Sequence, residues 1–252
     1  MCLIAFAIDA HEEYPFILIA NRDEFYKRPT SAAHEWDDLK IIAGRDLQAG
    51  GTWMGLTRKG KFAAVTNYRD PNNIRADATS RGEIPTKFLS SDDSANDYVR
   101  KISSNGMAYN GFNLLASDLH EMHHFSNYEG VHNVTKSGIH GLSNALLDSP
   151  WPKVEKIKAR LASTIASDFS TDDLLDILGD QGLADDEALP QTGIPTEWEK
   201  ALSAVCIRTE EYGTCCSTIV LRDRNDHLTF VEKTYEVGNR IPALKNFSFK
   251  IQ

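Results

Sequence analysis

Short runs in which β-branched and aromatic residues alternate with polar ones, or follow one another, predict strands at 3–9, 15–21, 52–57, 61–67, 111–118, 121–127, 203–209, 215–222, 227–235 and 246–251. Apolar positions at helical spacing predict helices at 80–90, 94–103, 151–167 and 171–179. The best of these begins after Pro150 and carries Trp151, Val154, Ile157 and Leu161 on one stripe. Hairpin-linked strands grouped between helical blocks predict an α+β layered domain of mainly antiparallel sheet, against a doubly wound fold of strict strand–helix alternation. The stretch from Gly179 to Thr196, rich in Asp, Pro, Gly and Gln, is the predicted long excursion, and the strands after it are expected to rejoin the same sheet system.

The first two strands bring chemistry together. A hairpin centred near Glu12 pairs residues whose numbers sum to about 24, which sets Cys2 opposite Arg22 and beside Asp23 and Glu24. Removal of Met1 would leave a thiol and a free α-amine on one residue, and an α-amine of pKa about 7.7–8.0 is a competent proton acceptor. Such a nucleophile needs donors for a tetrahedral oxyanion, and Asn67 and Asn144 each follow a predicted strand or turn. The plainer alternative is that Cys2 is the first buried residue of a strand and Asn21-Arg22-Asp23-Glu24 a solvated strand end.

Composition narrows the partners. The 252 residues (28.1 kDa) are 41% apolar and carry 36 acidic against 27 basic side chains, so an extended phosphate-tracking surface for nucleic acid is not expected. The apolar opening is too short for a membrane span and has no basic flank, so the expectation is a soluble cytoplasmic protein. Four cysteines are too few for a disulfide scaffold and suit a reducing compartment. The triplets Asn133-Val134-Thr135 and Asn246-Phe247-Ser248 are read as unmodified.

A series of motifs runs through the chain in order: MCLI, ANRDEFYKRP at 20–29, GGTWMGL at 50–56, AAVTNYR at 63–69, SRGE at 80–83, YNGFNLL at 109–115, GLSNALLDSPWPK at 141–153, and YGT with STIVL at 212–221. Together they resemble the NRDE family. The resemblance implies one domain over 1–252 with an N-terminal-nucleophile hydrolase-like fold, a four-layer αββα sandwich of two mainly antiparallel sheets. Cysteine-type members of that larger group, such as penicillin V acylase and bile salt hydrolase, imply roles for Cys2 as nucleophile, Arg22 and Asp23 as the strand-end pair, and Asn67 and Asn144 as oxyanion residues. Two departures stand out: Arg22 and Asp23 are adjacent here, and Cys215 occupies the place where the family commonly has arginine after YGT. If that arginine meets an anionic ligand, the contact is either lost here or supplied from elsewhere, for instance by Arg208.

The resemblance further implies intracellular heme trafficking, acyl-CoA or lipid metabolism, or secretory organisation. The leading expectation is therefore a carrier of heme or a similar amphipathic acid such as acyl-CoA. Arg69, Arg75, Arg81 and Arg208 would meet the acidic groups, Trp53 would stack on the ligand, and heme would be held reversibly, with Cys2 as an axial ligand. The alternatives are an N-terminal cysteine amidohydrolase, which needs no cofactor, and an interaction scaffold with an empty pocket. His120, His123 and His124 invite a metal reading, but on a strand His123 and His124 point to opposite faces, and no metal site is expected. Cys206 is expected to be buried and inert.

Overall fold

The computed structural model describes residues 2–238 and 240–252; Met1, whose removal the catalytic reading requires, lies outside the described residues. In chain order, β1 (Cys2–Ile8), β2 (Phe16–Phe25), β3 (Thr30–Glu35), β4 (Ile41–Asp46), β5 (Met54–Thr57) and β6 (Phe62–Asn67) precede the helices α1 (Glu83–Ser90) and α2 (Ala95–Asn105). There follow β7 (Phe112–Ser117), β8 (Met122–Ser126), β9 (His132–Thr135) and β10 (Gly138–Leu142). The chain ends with α3 (Pro152–Thr164), α4 (Thr171–Leu178), α5 (Thr196–Ala201), β11 (Tyr212–Arg222), β12 (His227–Thr234) and β13 (Ala243–Lys250).

Helix starts follow local chemistry. Ser94 accepts from the Asp97 amide, Ser170 and Asp173 form a reciprocal capping box, and Pro152 opens α3 where no amide donor is needed. No helix among the described residues is long and apolar enough to cross a membrane.

The strands form two sheets, ordered β10-β1-β2-β11-β12-β13 and β3-β4-β5-β6-β7-β8-β9, and every ladder between them is antiparallel. Alternation along each strand explains the layers. On β1, Ile4, Phe6 and Ile8 enter a core between the sheets with Leu18, Phe62 and Phe230, while Leu3, Ala5 and Ala7 pack beneath Val154, Ile157 and Leu174 of α3 and α4. On the far side, Ala63, Leu114 and Phe125 pack under Ile84 and Phe88 of α1 and Val99 of α2. The result is the expected αββα order.

The predicted hairpin register holds, with Cys2 opposite Arg22 and Ile8 opposite Phe16. The strand predicted at 203–209 does not form: Val205, Cys206 and Ile207 are buried, but their backbone serves other groups. The Cys206 amide donates to the Asp180 carbonyl, and the Val205 carbonyl accepts from Asn21 Nδ2. Strands β3, β4, β9 and β10 and helix α5 carry no matching prediction.

Candidate functional site

The ends of β1, β2 and β11 lie abreast: Cys2 faces Arg22, and Arg22 faces Cys216 on its other side. This row forms part of the wall of a cavity of about 1010 Å³. Cys2 is only 7% exposed, so its sulfur is recessed in that wall. Burial pushes the thiol up to about 11, with the Asp23 carboxylate adding to the effect, so at neutral pH the group is a thiol.

The backbone around Cys2 is held by the 141–146 segment. Ser143 Oγ donates to the Cys2 carbonyl (3.2 Å), Asn144 Nδ2 donates to the Asn67 carbonyl (2.9 Å), and the Arg69 amide donates to the Asn144 carbonyl (2.7 Å). Asn67 reaches the cavity wall, whereas Asn144 is fully buried and does not. The Asn144 amide thus braces the end of β6.

Asp23 points to the helical side of the sheet. Its Oδ1 accepts from Thr214 Oγ1 (2.7 Å), and burial raises its pKa. The charge of Lys153, at the start of α3, acts on it. Among the described residues Lys153 Nζ has no hydrogen-bond partner, and burial lowers its pKa to about 8.

A bulge in β11 organises this corner. Thr214 pairs with Asp23 and Cys216 with Arg22, so Cys215 is the extra residue and turns its sulfur toward the Glu24 and Gly213 carbonyls. Gly213 is required, because a Cβ there would collide with the Ile207 carbonyl and the Tyr26 hydroxyl. Gly51 is likewise pressed against the Gly82 backbone, a contact that joins the GGTW and SRGE motifs and brings Arg81 to the cavity.

The cationic groups differ from those expected. Arg22, Arg81 and Trp53 do line the cavity, joined by Lys27, Arg28, Arg45, Arg240 and Lys245, so that among the described residues the wall is drawn from seven cationic residues and four acidic ones (Asp23, Glu24, Asp46, Glu232), the Asp23 carboxylate being turned to the helical side. Arg81 donates to the Gly111 carbonyl (2.9 Å) and has no carboxylate partner among the described residues; Arg22 is only 3.4 Å from Glu24. Arg28 is more firmly held, at 2.7 Å from Asp46.

Arg69, Arg75 and Arg208 do not reach the cavity. Arg69 is buried against Glu199 at 2.6 Å with its guanidinium over Trp151, and Arg75 donates to the Met107 and Tyr109 carbonyls. Arg208 donates to the Thr214 carbonyl and lies over the Tyr235 ring, so it does not replace an arginine at 215; the cations acting on the Cys215 thiol are Arg240 and Arg22. Arg28, inside the 20–29 motif, was findable from sequence. Arg45, Arg240 and Lys245 gave no signal.

His123 and His124 point to opposite faces, His123 Nδ1 meeting His132 Nε2 (2.9 Å) and His124 Nε2 meeting Asn113 Oδ1 (3.4 Å). Cys206 is buried.

Comparison with known proteins agrees with the motifs. The sequence model of the family described as Transport and Golgi organisation 2 matches residues 1–237. The chain is 36% identical to the mouse and to the human Transport and Golgi organization 2 homologues, each over 93% of this chain and 93% of the relative, and 26% identical to the Drosophila melanogaster protein over 93% and 92%. Among solved structures, it resembles a cysteine-to-alanine mutant of the conjugated bile acid hydrolase from Clostridium perfringens (TM-score 0.51, 10% identity, 100% of this chain and 97% of that one). It also resembles the Caenorhabditis elegans ortholog of N-acylethanolamine-hydrolyzing acid amidase (TM-score 0.50, 9% identity, 87% and 92%). At such identities the likeness concerns the fold alone, which is N-terminal-nucleophile-hydrolase-like.

Proposed function

The chain belongs to the Transport and Golgi organisation 2 family, and on that premise we propose that it binds and carries an amphipathic acidic molecule, heme or an acyl-CoA in type, in the cavity beside Cys2. One observation carries the reading: a chain of net charge −9 gathers an excess of cations on the wall of its large cavity. Guanidinium groups suit carboxylates and phosphates, and Trp53 and Val65 give the same wall apolar area for a ring or acyl chain. Cys2 offers a soft donor should the occupant hold iron. Free cysteines suit a reducing compartment such as the cytoplasm.

The test is titration at micromolar protein with hemin, read at the Soret band, and with an acyl-CoA, read by calorimetry. Saturable binding that Arg22→Ala and Arg81→Ala weaken is expected; no Soret shift together with no heat overturns the proposal.

A second reading, an N-terminal cysteine amidohydrolase, is favoured by the position of the Cys2 thiol on the cavity wall opposite Arg22. Cys2 Sγ would attack an acyl carbon, its freed α-amine would take the thiol proton and pass it to the leaving amine, and water would release the acid from the thioester. Asn67 would hold the oxyanion, and Arg22 with Asp23 would orient the amine. Intact mass after treatment with an activated acyl ester separates the readings: loss of Met1 with an adduct that Cys2→Ala abolishes supports hydrolysis. Ligand retention without an adduct supports carriage, and neither leaves an interaction scaffold.

A further inference from the structure

We infer that the mouth of the cavity docks on an anionic lipid bilayer, so that an amphipathic occupant passes between membrane and cavity with little exposure to water; the inference rests on the carrier reading. Two apolar side chains on the cavity wall are exposed, Ile241 at 83% and Leu47 at 59%. A single exposed apolar residue is ordinary, but these two come from segments far apart in sequence and are fastened to one stretch of chain. The Arg240 guanidinium donates to the Arg28 carbonyl (2.9 Å) and to Thr30 Oγ1, and the Leu47 amide donates to the Pro29 carbonyl (3.0 Å).

Lys27 belongs to that same stretch and lines the cavity, as does Lys245. Lys245 pairs with Glu232 in the β12–β13 ladder, which puts it on the face turned toward the other sheet. Neither lysine has a carboxylate within ion-pair distance among the described residues. The rest of this acidic chain would be repelled by an anionic surface, so attraction is confined to the mouth and fixes orientation. A protein partner of standard size needs about 800 Å² of complementary surface per side, whereas two apolar side chains flanked by long cations match the depth of a headgroup layer, with the lysine stems lying along it.

The experiment is flotation of the ligand-free protein with vesicles of phosphatidylcholine alone or with phosphatidylserine added, so that a failure of docking is read separately from a failure of ligand titration. Wild type should float with the anionic vesicles and little with the neutral ones, and lose affinity as salt rises. The double variant Ile241→Glu/Leu47→Glu should bind at least about tenfold more weakly. Lys27→Glu/Lys245→Glu should abolish the preference for anionic lipid. A wild type that does not float, or variants that float equally well, overturn the inference. Concentration-dependent self-association that Ile241→Glu removes, without flotation, overturns it too by assigning the patch to a second copy of the chain.

Discussion

Two regions handle charge in opposite ways. At the cavity, Arg22 and Arg81 are held lightly, one 3.4 Å from a carboxylate and the other through a single carbonyl. Behind β6 and β8, polar groups are sealed: Arg69 and Glu199 form a pair with side chains 6% and 4% exposed, and His124 is buried against Asn113. Arg22 and Arg69 both sit near strand ends and look equivalent in sequence. What separates them is a carboxylate 130 positions away from Arg69 that desolvates and occupies it. A guanidinium is available to a ligand only where the fold supplies no such partner.

That contrast is open to test, beginning with the largest effect. Glu199→Gln should leave the Arg69 charge buried with its partner gone and lower stability by about 3–5 kcal/mol, measured by urea unfolding. If the loss were under about 1 kcal/mol, Arg69 would be no more sealed than Arg22.

His124 gives the next. Its burial lowers the imidazole pKa from 6.5 to about 4, so the unfolded chain binds a proton there in a range where the folded protein does not. Its contribution is therefore complete above pH 6.5 and is lost as pH falls from 6.5 toward 4, by on the order of 3 kcal/mol. Plotted against pH, the unfolding free energies of wild type and His124→Gln should differ in slope between about pH 4 and 6.5 and run parallel outside that window. Arg22→Ala should weaken acidic ligands about tenfold while changing stability by less than about 1 kcal/mol, the reverse of Glu199→Gln. Smallest of all, Arg75→Ala should cost about 1 kcal/mol in thermal unfolding and leave ligand affinity alone, since its guanidinium only ties two carbonyls.

Local pattern carried the β1–β2 hairpin, because a short turn fixes register and strict alternation assigns faces; Cys2 against Arg22 follows from arithmetic on the sequence. It failed at 203–209, where a buried apolar run has the composition of a strand but spends its backbone bonds on Asp180 and Asn21. It also missed β3, whose Thr30-Ser31-Ala32-Ala33-His34-Glu35 has little apolar content, and β9, which is short and largely exposed. Within the site, the residues legible in sequence were those on the hairpin or inside a motif. The partners that disqualify Arg69 and Arg208, and the cations Arg45, Arg240 and Lys245 that replace them, depend on contacts between distant segments, which no local spacing encodes.

The bulge at Cys215 makes the number of residues in β11 matter more than their identity. Thr214 and Cys216 are two apart, yet the extra residue turns them to opposite faces, one to Asp23 and one beside Arg22. Deleting a residue there would invert one set of contacts, while exchanging the side chain at 215 alters neither neighbour's pairing with β2. Position 215, which lines the cavity, is thus set apart from the ladder: its side chain bears on what the cavity meets, while register is carried by the residues on either side.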